Sequence, residues 1–361
     1  MNIREVLDKS ILTKDDLLFL MKVEKEEEIQ EIYKKAYEIK KEFIGQKVYY
    51  RGLIEFSNFC VKNCLYCGIR KDNKNVERYD MSKEDILNSV RWIHANGYGS
   101  VALQSGERQD NQFIEFVTDI IKEIKKIGDL GITLSLGEQS EETYKQWFEA
   151  GAHRYLLRIE TTNKNLYNKI HPNDELHDFD KRVKCLETLK KLGYQVGTGV
   201  MIGLPFQTYE DLVNDILFYK DKDIDMIGMG PYIPHDETPM GSGDLEILTK
   251  EKRVELGLKM IALARIFLKD VNIAATTALQ GLDPLGREKG LKAGANILMP
   301  ITTKDEHRAK YQLYNGKPCI DDNADKCKNC LEGRIKSVGE EIIYNNWGDS
   351  PHFKEKNYFN Y

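Results

Sequence analysis

The pattern of apolar and polar positions changes character near residue 47. Upstream, Thr13-Lys-Asp-Asp16 reads as a helix-capping box, Leu17, Leu18, Leu20 and Met21 follow it, and a long charged helix runs through Lys40. Such a segment is expected to cap something larger. From Tyr49 onward, short β-rich apolar runs alternate with amphipathic helical runs. The strand-like runs cover 49–56, 100–105, 132–137, 154–160, 196–203, 226–233, 272–278 and 296–300. The helical period appears between them over 82–96, 111–127, 141–150, 181–192, 209–222 and 250–268. Eight β/α units predict an α/β fold of the complete (β/α)8 TIM-barrel type. The expected organisation is a helical cap over 1–46, the barrel over 47–310 and a short cysteine-containing extension over 311–361. An open, doubly wound sheet is the rival. Its dinucleotide fingerprint is absent, because Gly197, Gly199 and Gly203 have the wrong spacing and lie inside an apolar run.

A parallel barrel places its chemistry at the C-terminal ends of its strands, and here those ends are polar. Strand one runs into Ser57 and Asn58, strand two ends in Gln104-Ser105-Gly106-Glu107, strand three in Glu138, and strand four in Arg158 and Glu160. Later strands end near His235, at Thr276-Thr277 and at Pro300. An isolated strand-end glutamate is most often just solvated, but three at successive strands suggest a shared site. Arg158 and Arg182 could be ordinary surface arginines, although guanidinium groups are also natural clamps for carboxylates.

Composition narrows the classes. With 41% hydrophobic and 31% charged residues and no low-complexity tract, the chain of 361 residues is globular. The net charge of −5 is spread evenly, so no basic face suggests nucleic acid or an anionic membrane surface. Glu5, Asp8, Asp15 and Asp16 interrupt the N-terminal apolar residues, unlike a signal peptide, and no run approaches the roughly 20 apolar residues of a spanning helix. A cytoplasmic protein is expected, in which seven cysteines stay reduced and favour metal or redox chemistry over disulfides.

Against that background FSNFCVKNCLYCGIRK stands out, with Cys60, Cys64 and Cys67 spaced C-x3-C-x2-C after strand one. A closed zinc site needs four protein ligands, and the next histidine is His94. A [4Fe–4S] cluster held by three thiolates leaves one iron open to a small-molecule ligand. An incidental cysteine cluster is the bland alternative. Lone Cys185, in an apolar helical run, reads as core.

The triad, with Tyr66 before its third cysteine, resembles the signature of radical S-adenosylmethionine (radical SAM) enzymes. The likeness extends over about residues 45–335 through LQSGE, LSLGE, AGAHRYLLRIET, MIGLPFQT, GMGPYIPHDETP, AATTAL, GREKGLKAGANILMP and YQLYNGKPC. It is most similar to the [FeFe]-hydrogenase maturase HydE family, related to methylornithine synthase and biotin synthase. The resemblance implies that Cys60, Cys64 and Cys67 hold a [4Fe–4S] cluster whose open iron binds SAM. It implies SAM contacts from Tyr66, Gln104, Ser105, Gly106, Glu107, Glu138, Arg158 and Glu160. It further implies a carboxylate-bearing substrate near Arg158, Arg182, Thr276, Thr277, Arg308 and Tyr311. Implied partners are a small-molecule or iron-synthon substrate, a low-potential donor of the ferredoxin or flavodoxin type, and the other hydrogenase maturases in transient contact. A radical mutase like methylornithine synthase and a non-catalytic iron–sulfur or zinc carrier are the alternatives.

A second set, Cys319, Cys327 and Cys330, is spaced C-x7-C-x2-C. Bare chemistry allows zinc with a further ligand or a second iron–sulfur cluster. The resemblance implies an accessory cluster there. Two departures from the family pattern are Ile159 after Arg158, where some members have histidine, and His307 in place of a tyrosine.

Overall fold

Eight parallel strands close into a barrel in the computed structural model, which describes residues 2–320 and 323–358. Residue 1 of the expected cap and residues 321, 322 and 359–361 of the expected extension lie outside the described residues. Strand one is split by Arg51 into β1 (Lys47–Tyr50) and β2 (Gly52–Ser57). Next come β3 (Ser100–Ser105), β4 (Gly131–Ser135) and β5 (Arg154–Leu156). The fifth strand is β6 (Gln195–Thr198) continued by β7 (Met201–Ile202), and the sixth is β8 (Met226–Ile227) continued by β9 (Gly230–Pro231). The last two are β10 (Asn272–Ile273) and β11 (Ile297–Leu298), while β12 (Glu341–Ile343) lies outside the repeat. Hydrogen bonding runs in the order β10-β8-β6-β5-β4-β3-β2. The ring shuts because β11 pairs with β1 at Tyr49↔Ile297 and Tyr50↔Leu298, and meets the end of β10 at Ala274↔Ile297. Each barrel strand falls within a residue or two of an apolar run read from the sequence. Buried on both faces, such strands are apolar throughout and show little alternation.

Two details differ from expectation, and a third accounts for glycines in a strand-like run. The run 272–278 stops being strand after Ala274, and Thr276 instead stands in the N-cap position of helix Thr277–Leu282. The run 154–160 is strand only to Leu156, touching its neighbour again at Glu160↔Val200. Between β6 and β7, Gly199 passes so close to Gly228 that a Cβ on it would lie 2.1 Å from the Gly228 carbonyl oxygen. That pinch explains glycines inside an apolar run.

The N-terminal cap forms helices Lys14–Met21 and Glu26–Phe43, and Thr13 and Asp16 make the capping box read from the sequence. These helices cover helix Lys250–Leu268, which is buried over most of its circumference. Two of its buried cations are satisfied internally: Lys259 Nζ donates to Glu255 Oε1 at 2.6 Å and to the Val23 carbonyl, and Arg265 donates to the carbonyls of Gly294, Lys269 and Val271.

The C-terminal segment does more than extend the chain. β12 pairs with β1, and residues 347–350 then plug the barrel floor. Residues that begin their strands point down to meet it. Ser100 and Arg154 donate to the Trp347 carbonyl at 2.8 and 2.7 Å, Asn272 to the Gly348 carbonyl at 2.8 Å, and Arg154 and Gln195 to Asp349 at 3.0 Å each. Gly99 is needed there, since a Cβ on it would lie 1.9 Å from the Asn346 carbonyl oxygen. The floor is thus closed by hydrogen bonds, and access is left to the strands' C-terminal ends.

Candidate active site

The loop after β2 carries Cys60, Cys64 and Cys67, and several neighbours hold its shape. Arg78 donates to the carbonyls of Asn58, Ile69, Arg70 and Asn73 at 2.6–3.2 Å. Backbone hydrogen bonds run from Val61 to Glu107, Leu65 to Ile170, Gly68 to Leu313 and Met240 to Leu65. The Cys60 sulfur accepts the backbone N–H of Lys62 at 3.4 Å and of Glu107 at 3.3 Å. Gly106 permits this approach of strand two, because a Cβ there would lie 2.2 Å from the Phe59 carbonyl oxygen and 2.8 Å from Cys60 Cβ.

Burial pushes all three thiols upward, Cys64 to about 12. Protonated thiols are what such a pocket favours until a cation arrives, and metal binding then releases the protons. Three soft donors on one braced loop, with N–H groups aimed at sulfur, fit an iron–sulfur cluster. Among the described residues no three His, Cys, Asp or Glu side chains converge as ligands of a single ion.

Tyr66 donates its hydroxyl to His171 Nε2 at 3.2 Å, while His171 Nδ1 donates to the Tyr167 carbonyl at 2.9 Å. Burial lowers His171 to about 3, so its ring is neutral and this tautomer follows from its partners. Beside the triad lies a buried charge group. Arg182, in the first turn of helix Phe179–Lys191, donates to Glu138 Oε1 at 2.7 Å and lies 3.9 Å from Glu107. Lys62 Nζ stands 3.2 Å from Glu107 Oε1 and 3.1 Å from Glu138 Oε2. These two contacts are not aligned as hydrogen bonds, and both oxygens remain without one. Burial raises Glu107 above the usual carboxylate range against the opposing pull of Lys62.

Arg158 grips Glu160 through Nε and Nη2 at 2.8–3.1 Å and donates to the Gly228 carbonyl at 2.7 Å. Glu160 has φ +66°, a left-handed conformation uncommon for a residue with a side chain. It is held by its N–H to Gly199 and by Thr162, whose N–H and hydroxyl both reach Asp215 Oδ1 at 2.8 and 2.6 Å.

The remaining residues gather across the barrel. Gln104 donates to the Tyr311 hydroxyl at 3.3 Å, and the Thr277 and Tyr314 hydroxyls share a hydrogen bond of 2.8 Å. Thr276 Oγ1 is buried without a partner. Arg308 donates to the carbonyls of Thr303 and Ile301, leaving Nη1 free. Ser105 turns its hydroxyl back onto the Gly106 carbonyl. Beneath them Lys317 bonds both oxygens of Glu55 at 2.6 Å, an ion pair that is almost wholly buried.

The sequence reading thus named most of the polar wall but missed Lys62, Arg78, Asp215, Tyr314 and the Glu55–Lys317 pair. A lysine or arginine in a loop reads as solvated surface; only Lys62's place inside the C-x3-C spacing hinted otherwise. The structure also shows that Arg158 and Arg182 already have carboxylate partners. The second cysteine set is on other elements. Cys327 and Cys330 sit on helix Ala324–Ser337, Cys327 buried and Cys330 exposed. Contact with the Cys319 thiol, together with burial, pushes Cys327 upward. Cys185 is core, as read.

Residues 54–219 match the radical SAM superfamily. The chain is 44% identical over 340 residues, 94% of each chain, to the [FeFe] hydrogenase maturase subunit HydE of Thermotoga maritima. It is 27% identical over 306 residues, 83% of each chain, to 3-methylornithine synthase of Methanosarcina acetivorans. The crystal structure of methylornithine synthase (PylB) superposes with a TM-score of 0.78 at 23% identity, covering 95% of this chain and 97% of that one. At that identity the superposition speaks for the fold alone, and it supports the barrel.

Proposed function

The chain belongs to the HydE family of radical SAM enzymes, and from that premise we propose that it serves as a HydE-type maturase in assembly of the [FeFe]-hydrogenase active-site cluster. In this reading Cys60, Cys64 and Cys67 hold the [4Fe–4S] cluster. Tyr66, Gln104, Ser105, Gly106, Glu107, Glu138, Arg158 and Glu160 line the SAM site, and Arg158, Arg182, Thr276, Thr277, Arg308 and Tyr311 face the substrate. When bound, the reduced cluster supplies the electron that splits SAM into methionine and a 5′-deoxyadenosyl radical. The chain's own part is to bind, orient and exclude water. Tyr66 and its neutral histidine offer a fixed rim, Arg158 sets the Glu160 carboxylate, and the closed floor keeps solvent out of the barrel. Within the described residues, those of 1–46 cap the barrel of 47–310, and those of 311–361 seal it. The substrate is a small iron-bearing synthon, the electron donor a ferredoxin or flavodoxin type, and the other maturases transient partners. Among the described residues no helix is long and apolar enough to cross a membrane.

The observation that carries the reading is the braced triad of buried thiols set beside the Lys62, Glu107, Glu138 and Arg182 charge group. Anaerobic reconstitution followed by dithionite and SAM is expected to yield 5′-deoxyadenosine, and addition to a cell-free maturation mixture lacking its HydE component is expected to restore hydrogenase activity. An intact cluster that yields no 5′-deoxyadenosine would sink the radical step; cleavage without restored hydrogenase activity would sink the maturase role.

A further inference from the structure

Lys62 lies within the C-x3-C segment yet is buried, with a side chain 6% exposed. Its ammonium sits between two carboxylates from different strands, 3.2 Å from Glu107 Oε1 and 3.1 Å from Glu138 Oε2. A buried ammonium settled for good is expected to hydrogen-bond its anions, because desolvation is offset only by good geometry. Here the geometry is poor: both carboxylate oxygens lack a hydrogen bond although Glu138 is fully buried and Glu107 6% exposed. The other oxygens face Arg182: Glu138 Oε1 accepts from it at 2.7 Å, and Glu107 Oε2 lies 3.9 Å from the same guanidinium. Two convergent, unsatisfied acceptors thus face a space filled by a single cation. The Lys62 ammonium has a further acceptor outside that space, the Leu176 carbonyl on the half-exposed turn Glu175–His177.

We propose that Lys62 is a resident cation that holds the Glu107–Glu138 acceptor pair until the α-ammonium group of SAM replaces it, Lys62 then swinging outward past Leu176. The proposal rests on the SAM site assigned above. It gives that site a specificity element: only a ligand bringing its own cation, aimed at two carboxylate oxygens, can displace the lysine. The exchange keeps the buried group balanced, two carboxylates against two cations before and after, so no net charge is added on this side of the pocket. An uncharged nucleoside has nothing to offer in exchange.

The test uses the anaerobically reconstituted, cluster-loaded protein. Brief labelling with an amine-reactive acetylating reagent and mass spectrometry reads the accessibility of Lys62 directly. With SAM or S-adenosylhomocysteine, which carries the same ammonium, Lys62 labelling is expected to rise about tenfold, whereas 5′-deoxyadenosine is expected to leave it protected. Binding of each ligand is measured in parallel by equilibrium dialysis. If SAM does not bind, the site assignment fails; if SAM binds and Lys62 stays protected, the exchange alone is overturned. Lys62→Met gives an independent sign. A displaced competitor predicts SAM binding about tenfold tighter with 5′-deoxyadenosine affinity unchanged, a change of about 1.4 kcal/mol. A folded Lys62→Met protein that binds SAM as weakly as wild type, or more weakly, overturns the proposal, and the labelling result stands whether or not this variant folds.

Discussion

Cys60, Cys64 and Cys67 lie on a loop wired by Arg78 and four backbone contacts, whereas Cys327 and Cys330 lie one turn apart on a helix, with Cys330 in solvent. The donors are identical and the surroundings are not. The first triad has two carboxylates, a lysine and an arginine beside it, a buried charge group able to hold a charged ligand. Near the second, Arg334 of the same helix is tied to Glu288 at 2.5 and 2.7 Å, which docks that helix on Gly286–Lys292. Spacing alone marks a metal site. What surrounds the sulfurs decides whether the site does chemistry.

The comparison breaks first at the triads themselves. Cys64→Ala is expected to abolish 5′-deoxyadenosine formation, a loss beyond about 1,000-fold, because removing a member of a unit that acts together removes the whole effect. Cys327→Ala is expected to leave the same assay within about twofold, since a group outside the reacting site contributes little to the barrier. Equal losses would mean that both triads serve the radical step.

A second test probes the link between the two regions. Lys317 lies two residues before Cys319, yet its ammonium is paired to Glu55 on the strand that leads to Cys60. Lys317→Met strands a buried carboxylate, and urea denaturation is expected to show a loss of about 3–5 kcal/mol. Adding Glu55→Gln removes the second charge and is expected to recover most of it. If the single variant costs under about 1 kcal/mol, the pair is solvated and the two regions are independent.

The third test is confined to the first region. Burial pushes the wholly buried Asp215 up to about 7, while an unfolded aspartate titrates near 3.8. With the folded value raised, its favourable contribution is complete below about pH 4 and is lost as the pH climbs through 7. Asp215→Asn keeps an oxygen for Thr162 and removes the ionisation. The variant is therefore expected to gain on wild type across that window, by up to about 4 kcal/mol at pH 8. Denaturation at pH 5 and pH 8 checks it; an equal difference at both would show that Asp215 does not titrate there.

How much of this was legible beforehand depended on what each residue needs in order to be seen. Barrel strands are marked by local composition, so all eight appeared as apolar runs, and a triad within eight residues carries its own geometry. Thr276 carries a strand signal because β-branched residues favour strands, yet the chain turns into helix Thr277–Leu282 there. The floor was invisible: residues 347–350 mean nothing until Arg154, Gln195 and Asn272 are brought beneath one ring. The pairing of Glu55 with Lys317 spans 262 positions, and no period or spacing announces it.

The smallest effect belongs to the exposed cysteine. Cys330 faces solvent and its neighbour Cys327 is buried, so a cluster held there has one accessible edge. A mild chelator is expected to strip iron from this set first, leaving the braced triad loaded, because metal bound at a solvent-facing thiolate is open to competition. Cys330→Ala should lower iron content and change stability by no more than about 0.5 kcal/mol, as befits an exposed side chain on a helix surface. Iron counts and the charge-transfer absorbance, followed during chelation in wild type and variant, read both losses separately. Were the N-terminal triad to empty first, bracing and burial would not be what protects a cluster in this protein, and the contrast between the two sets would have to rest on the neighbouring charges alone.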